Sequence, residues 1–178
     1  MNRALFLDRD GVINYDFGFV YEKENFIFCE DIFNLAREAI AKGYKVVVIT
    51  NQSGIARGYF SEEQFHKLNN WMCQKFLEEG APIERTYFSP YHPTEGFGTY
   101  LKDESTRKPN PGMIMQAQND LSLSLDRSIL VGDKISDIQA GNNAGVGTNL
   151  LLGSTTTAIN HELNYELINN IREVSSYL

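Results

Sequence analysis

Two carboxylates one residue apart, Asp8 and Asp10, close the apolar run Leu5-Phe6-Leu7 and are followed at once by Gly11. The run reads as a buried strand, and ligands of open α/β sheets gather outside the carboxyl ends of such strands. Charged side chains are rarely placed at the end of a core strand without a partner. One aspartate there can serve as nucleophile or metal ligand and the other as acid/base. An isolated Asp-x-Asp is equally a charged turn, so its meaning depends on what else reaches the same edge.

Three later stretches bear on that. Thr50 ends the β-branched run KVVVIT and is followed by Asn51, Gln52, Ser53 and Gly54. A hydroxyl at that point can donate to a phosphoryl oxygen beside backbone N–H groups. Lys108, in Arg107-Lys108-Pro109-Asn110-Pro111-Gly112, stands just before a helix start. There a point charge can bridge a nucleophilic carboxylate and a phosphoryl group. Gly132-Asp133-Lys134-Ile135-Ser136-Asp137 places a second acid pair after another apolar strand. Asp133, with Asp8 and the main-chain carbonyl of Asp10, would make an all-oxygen site suited to Mg²⁺. Asp137 is better placed to hold the loop or a metal-bound water. Taken singly, these stretches read as a strand-to-loop turn, an exposed lysine in a proline-rich turn and an aspartate capping a helix.

The elements that must position these groups alternate. Strands are expected at residues 3–7, 45–50, 85–88, 128–131 and 148–152. Between them, Asp31 can cap a helix with Ile32, Leu35, Ala36, Ala39 and Ile40 on one face, ending near Gly43. Ser61 and Gln64 form a capping box for a helix whose core face is Phe65, Leu68, Met72 and Phe76. Pro111 fits the first position of the next helix, and residues 137–144 form another. The pattern predicts an α/β, doubly wound, mostly parallel sheet with helices on both faces. A tail from Gly153 leads to Leu163, Leu167, Ile168 and Ile171, read as a C-terminal amphipathic helix packed on the same domain.

The ordered set Asp-x-Asp, Thr, Lys and Gly-Asp-x-x-x-Asp resembles the haloacid-dehalogenase (HAD) superfamily of aspartate-nucleophile phosphatases. Residues 7–14 (LDRDGVIN), 50–55 (TNQSGI) and 107–109 (RKP) are similar to its branch acting on heptose bisphosphate and histidinol phosphate. The resemblance spans residues 1–152, the phosphatase core, and only the tail, residues 153–178, falls outside it. It implies Asp8 as nucleophile, Asp10 as acid/base, and Thr50 and Lys108 as holders of the phosphoryl oxygens. It implies Mg²⁺ on Asp8, Asp10 and Asp133. Substrate contacts would come from Arg9, Asp16, Phe17, Gly18, Phe19, Asn51, Gln52, Ser53, Arg107 and Lys134. The expected substrate is heptose 1,7-bisphosphate, losing its 7-phosphate in the making of surface-glycan precursors. Histidinol phosphate is the rival within the class, and a non-enzymatic phospho-receiver the rival outside it.

The gaps from Asp10 to Thr50 and from Thr50 to Lys108 hold only the loops, helices and strand of ordinary βα topology, so no separate cap domain is expected. Specificity then falls to loops near residues 15–25, 52–59 and 89–107, where Arg57 can reach a second phosphate or simply face solvent. The branch usually clamps the last loop with zinc on Cys-x-His and Cys-x-Cys. Ser89 and Tyr91, and Glu104 and Thr106, stand in those places here. With His92 the one soft ligand nearby, no structural zinc is expected; packing of Tyr91, Phe97, Tyr100 and Leu101 must hold the loop, or it is mobile.

The 178 residues suffice for a real core, and their net charge of -7 offers no basic stripe for nucleic acid. An acidic chain can still carry a locally positive site for an anionic small molecule. Cys29 and Cys73 have neither disulfide-framework numbers nor zinc spacing, and no signal peptide or membrane span is read. The expectation is a cytoplasmic monomer acting on a small phosphosugar.

Overall fold

The computed structural model describes residues 1–153 and 162–178. In chain order its elements are β1 (Arg3–Leu7), α1 (Ile32–Ala41), β2 (Tyr44–Asn51), α2 (Glu62–Glu78), β3 (Arg85–Ser89), α3 (Gly112–Leu121), β4 (Ile129–Gly132), α4 (Ile135–Ala144), β5 (Thr148–Leu152) and β6 (Glu166–Ile168). The strands form one sheet in the order β3-β2-β1-β4-β5-β6, and every pairing is parallel.

Strand residues point alternately to opposite faces, and here both faces are apolar. Leu5, Leu7, Val46, Val48, Ile129 and Val131 pack on one face with Ile32, Leu35, Ala36 and Ala39 of α1 and Leu68, Met72 and Phe76 of α2. Ala4, Phe6, Val47, Ile49 and Leu130 pack on the other with Met113, Ile114 and Ala117 of α3 and Ile138 and Ala140 of α4. The capping box of α2 forms as expected: Gln64 N donates to Ser61 Oγ (3.1 Å) and Ser61 N to Gln64 Oε1 (2.9 Å).

Strand order reverses between β1 and β4, and a crevice opens at their carboxyl ends, as it does in doubly wound sheets. Residue Leu7 pairs with Val48 on one side and Val131 on the other, and Asp8 N donates to Val131 O at 3.1 Å. Asp8 is therefore the first residue past the sheet, with Asp133 across the crevice. The two long connections, residues 8–31 and 90–111, contain loops, short 3₁₀ turns and isolated β-bridges.

Two expectations need correction. Asp31 precedes α1 but does not cap it: at φ 65° its carboxylate turns instead to Asn34 Nδ2 (3.1 Å) and Arg172. The segment holding Leu167, Ile168 and Ile171 is not an α-helix. It is β6 followed by a 3₁₀ helix at Ile171–Tyr177, with Leu150 paired to Glu166 and Leu152 to Ile168. Leu167 is exposed, whereas Ile168, Ile171 and Val174 enter the first core face. Without this strand β5 would present an unpaired edge, and pairing it outweighs the helical spacing of so short a run. Most of the lead-in from Gly153 lies outside the described residues.

Candidate active site

Gly11 lies at φ 95°, and a Cβ there would sit 2.2 Å from Asp133 Oδ2. Its missing side chain lets the Asp8–Asp10 turn close against the β4 loop. Gly132 plays the matching part, since a Cβ there would strike the side chain of Asp137 at 2.2 Å. Asp137 in turn accepts from Lys134 N at 3.0 Å, satisfying an amide at the start of α4.

Lys108 reaches this edge from the opposite side. Asn51 holds its backbone reciprocally: Asn51 Nδ2 donates to Lys108 O and Lys108 N to Asn51 Oδ1, both at 3.0 Å. The ammonium then finds three acceptors, Asp137 Oδ1 at 2.6 Å, Asp8 Oδ1 at 2.9 Å and Ile49 O at 3.0 Å. Those exhaust its three protons. Burial opposes this charge, but Asp137 and Asp8 outweigh it and raise the ammonium above its usual value.

The acids are less balanced. Burial pushes the Asp8 carboxyl well above the usual range; Asp137 and Asp133 push the same way and Lys108 opposes them. Burial also raises Asp133. Among the described residues, Asp8, Asp133 and Asp137 form the group of three acids whose ligand atoms lie within 4.8 Å of one another. Asp137 has both oxygens engaged, by Lys108 and by Lys134 N, whereas Asp133 Oδ1 is buried without a hydrogen-bond partner. An orphaned carboxylate oxygen beside a second acid is what a hard divalent cation would occupy. The donor set therefore fits such an ion better through Asp8 and Asp133 than through Asp137.

A cavity of about 510 Å³ opens above these groups, lined by Asp8, Asp10, Asp16, Gly18, Phe19, Asn51, Gln52, Ser53, Arg107, Lys108 and Lys134 among the expected residues. Gly54, Pro109, Ser136 and Asp137 also line it. The sequence points to Asp137 as a holder of the loop or of a metal-bound water; its pairing with Lys108 depends on an approach between distant segments. Thr50 lies at the floor, fully buried, with Gln52 Nε2 donating to its hydroxyl at 2.8 Å.

Three expected substrate contacts lie elsewhere. Arg9 is 1% exposed and turned into the protein, held by its neighbour Asp10. Phe17 is 64% exposed and borders an adjoining groove. Arg57 pairs with Glu95 and lies 5.5 Å from the ring of Phe19, outside the cavity lining. Its attraction to an exposed acid and a ring face holds it at the rim.

The 89–107 loop is held differently from the expected apolar packing, for Phe97 is 73% and Leu101 43% exposed. Hydrogen bonds do most of the holding. Thr106 Oγ1 donates to Ser89 Oγ (3.2 Å), Arg107 Nη1 to Tyr91 O (3.1 Å) and Phe97 N to Ala56 O (2.9 Å). His92 Nδ1 accepts from the amides of Glu95 (2.9 Å) and Thr94 (3.3 Å). Tyr100 does pack, against the small cluster of Ile55, Phe60 and Phe65. No helix among the described residues is long and apolar enough to cross a membrane.

Comparison with known proteins bears directly on this arrangement. Residues 105–174 match the HAD-hydrolase-like family model. A D-glycero-alpha-D-manno-heptose-1,7-bisphosphate 7-phosphatase of Burkholderia mallei is 59% identical over 151 residues, 85% of this chain and 80% of that protein. A D-glycero-beta-D-manno-heptose-1,7-bisphosphate 7-phosphatase of Vibrio cholerae is 42% identical over 98% of this chain and 95% of its own length. The crystal structure of D,D-heptose 1,7-bisphosphate phosphatase from B. bronchiseptica, complexed with magnesium and phosphate, superposes with a TM-score of 0.84 at 26% identity, covering 98% of this chain and 97% of that one. Sheet order, buried acid–lysine floor and these similarities together show that the chain belongs to the HAD-like hydrolases, in the heptose-1,7-bisphosphate 7-phosphatase family.

Proposed function

We propose that this chain is a cytoplasmic, monomeric phosphatase that removes the 7-phosphate of D-glycero-D-manno-heptose 1,7-bisphosphate in the making of a surface-glycan precursor. The observation that carries the reading is the convergence of Asp8, Asp10 and Lys108 on one cavity at the sheet's switch point, with Thr50 buried behind the cavity-lining Gln52 that donates to its hydroxyl. Asp8 is the nucleophile: its carboxylate attacks phosphorus, forming an aspartyl-phosphate as the bond to the sugar oxygen breaks. Asp10 gives that oxygen a proton and later takes one from the water that cleaves the intermediate. Thr50 and Lys108 hold the phosphoryl oxygens, Lys108 exchanging its bond to Asp8 for one of them, and positioning with charge stabilisation supplies most of the rate.

Mg²⁺ held by Asp8, Asp133 and the Asp10 carbonyl would screen the repulsion between carboxylate and substrate when bound. No structural zinc is part of this reading, because Ser89 and Thr106 close the loop with a hydroxyl pair. Asp16, Gly18, Phe19, Asn51, Gln52, Ser53, Arg107 and Lys134 face the sugar, and Arg107 and Lys134 supply positive charge for a second phosphate. That favours a bisphosphate over histidinol phosphate. The phospho-receiver reading is disfavoured by strand order, which is 3-2-1-4-5-6 here and 2-1-3-4-5 in receiver-like sheets.

Phosphate release from heptose 1,7-bisphosphate, histidinol phosphate and fructose 1,6-bisphosphate, each with and without Mg²⁺, tests the assignment. Heptose bisphosphate should be turned over best, once per molecule, and only with the cation. Preference for histidinol phosphate would overturn the substrate. An Asp8→Asn protein retaining activity within about a thousandfold of the parent would overturn the nucleophile, since loss of an attacking group costs more.

A further inference from the structure

Arg9 is the largest fully buried side chain of the described residues, yet it carries a charge. Its guanidinium grips Asp10 as a fork, Nη2 to Oδ1 at 3.0 Å and Nε to Oδ2 at 3.2 Å. Nη2 also donates to Val20 O at 2.6 Å, at the end of the loop that brings Asp16, Gly18 and Phe19 to the cavity. The ring of Phe26 lies 5.8 Å from the same guanidinium. Burying such an ion pair is a poor route to stability, because desolvation offsets most of the attraction. Its geometry suits another role.

Asp10 receives two further donors, Asn14 Nδ2 on Oδ1 at 3.1 Å and Gln52 Nε2 on Oδ2 at 3.0 Å. Two bonds on each oxygen fill the roughly four acceptor positions of a carboxylate. A leaving alcohol can reach Asp10 only by displacing one of them. All three donors are buried, Arg9 at 1%, Asn14 at 0% and Gln52 at 4% exposure, but of the three Gln52 alone lines the cavity with Asp10. The exchangeable donor is therefore Gln52, and the fixed ones are Arg9 and Asn14.

We propose that Arg9 is a positioning residue that clamps the Asp10 carboxylate in one orientation and ties it to the 15–20 loop, rather than a substrate contact. This rests on the reading of Asp10 as acid/base. In the first step the Asp8–phosphorus bond forms, the phosphorus–oxygen bond to the alcohol breaks, and the alcohol takes the proton from Asp10. A misaligned Asp10 should therefore harm a poor alkyl leaving group far more than a good aryl one.

The test compares heptose 1,7-bisphosphate with p-nitrophenyl phosphate in Arg9→Met, Arg9→Lys and Asp10→Asn proteins, following first-turnover and steady-state rates. Arg9→Met should slow first-turnover cleavage of the sugar phosphate roughly a hundredfold while leaving the nitrophenolate burst within about threefold, with KM little changed. Arg9→Lys, which keeps the charge but cannot make the fork, should show the same split at smaller size. It carries the test alone if Arg9→Met does not fold. Equal losses on both substrates would mark a merely structural role, and a raised KM at constant kcat a substrate contact; either overturns the proposal. If Asp10→Asn itself shows no split, the acid/base reading fails with it. If Asp10→Asn splits and neither Arg9 variant does, only the Arg9 clamp fails.

Discussion

At the floor of the cavity the charges are buried and mutually paired; at its mouth they stand in water. The Lys108 side chain is 3% exposed and is shared by Asp8 and Asp137, at 8% and 2%. At the mouth, Arg57 and Glu95 pair at 24% and 56% exposure, and Lys134 and Asp16 at 57% and 32%. Exposed pairs of that kind are worth about 0–1 kcal/mol, whereas stripping one partner from a buried pair costs about 3–5 kcal/mol. The floor therefore tolerates almost no change, and the mouth tolerates much. Under the proposed function, reaction class would reside in the part of the site that also supports the fold, and substrate choice in the part that does not.

The largest effect that would test this contrast is at Lys108. Lys108→Met should lower kcat about 10²–10³-fold and, without a divalent cation, destabilise the protein by about 3–5 kcal/mol in urea unfolding. An active-site variant with unaltered stability would show that floor and fold are separable after all. A second test concerns pH. Asp8 and Asp133 are raised above the ordinary 3.8 by burial, with neighbouring acids adding to it. A raised carboxyl adds stability that is full below its unfolded value and lost as pH rises through its folded one. The cation-free protein should thus lose melting temperature as pH climbs above about 4, and Mg²⁺ should flatten that slope by binding the ionised acids. A slope unchanged by saturating Mg²⁺ would place the cation elsewhere. The smallest effect belongs to the mouth: Arg57→Ala should shift stability by no more than about 1 kcal/mol and leave both KM and kcat within about twofold of the parent. A fall in kcat as deep as that of Lys108→Met would erase the distinction between the two regions.

Much of this was legible in the chain because each chemical group is joined to a strand end. Asp8, Thr50 and Asp133 follow apolar runs long enough to identify β1, β2 and β4, and parallel packing brings those ends to one edge. Lys108 is announced by the proline-flanked turn before α3. The tail was harder. Leu163, Leu167, Ile168 and Ile171 fit a helical face, and only the open edge of β5 decides for a strand. Loop 89–107 divides for a related reason: Tyr91 and Tyr100 pack as expected, but hydrogen bonds hold the rest and leave Phe97 and Leu101 exposed.

The sequence by itself determined the doubly wound sheet and the strand ends at which Asp8, Thr50 and Asp133 stand, since these follow from residue types locked to strand periodicity. Only the tertiary structure decided the partners of buried charges. Asp137 meets Lys108 across 29 residues of chain, and Val20 O meets the Arg9 guanidinium that a sequence would place in water. The physical reason is that burial of a charge is settled by which distant groups arrive to satisfy it, and a sequence records the charge without its company.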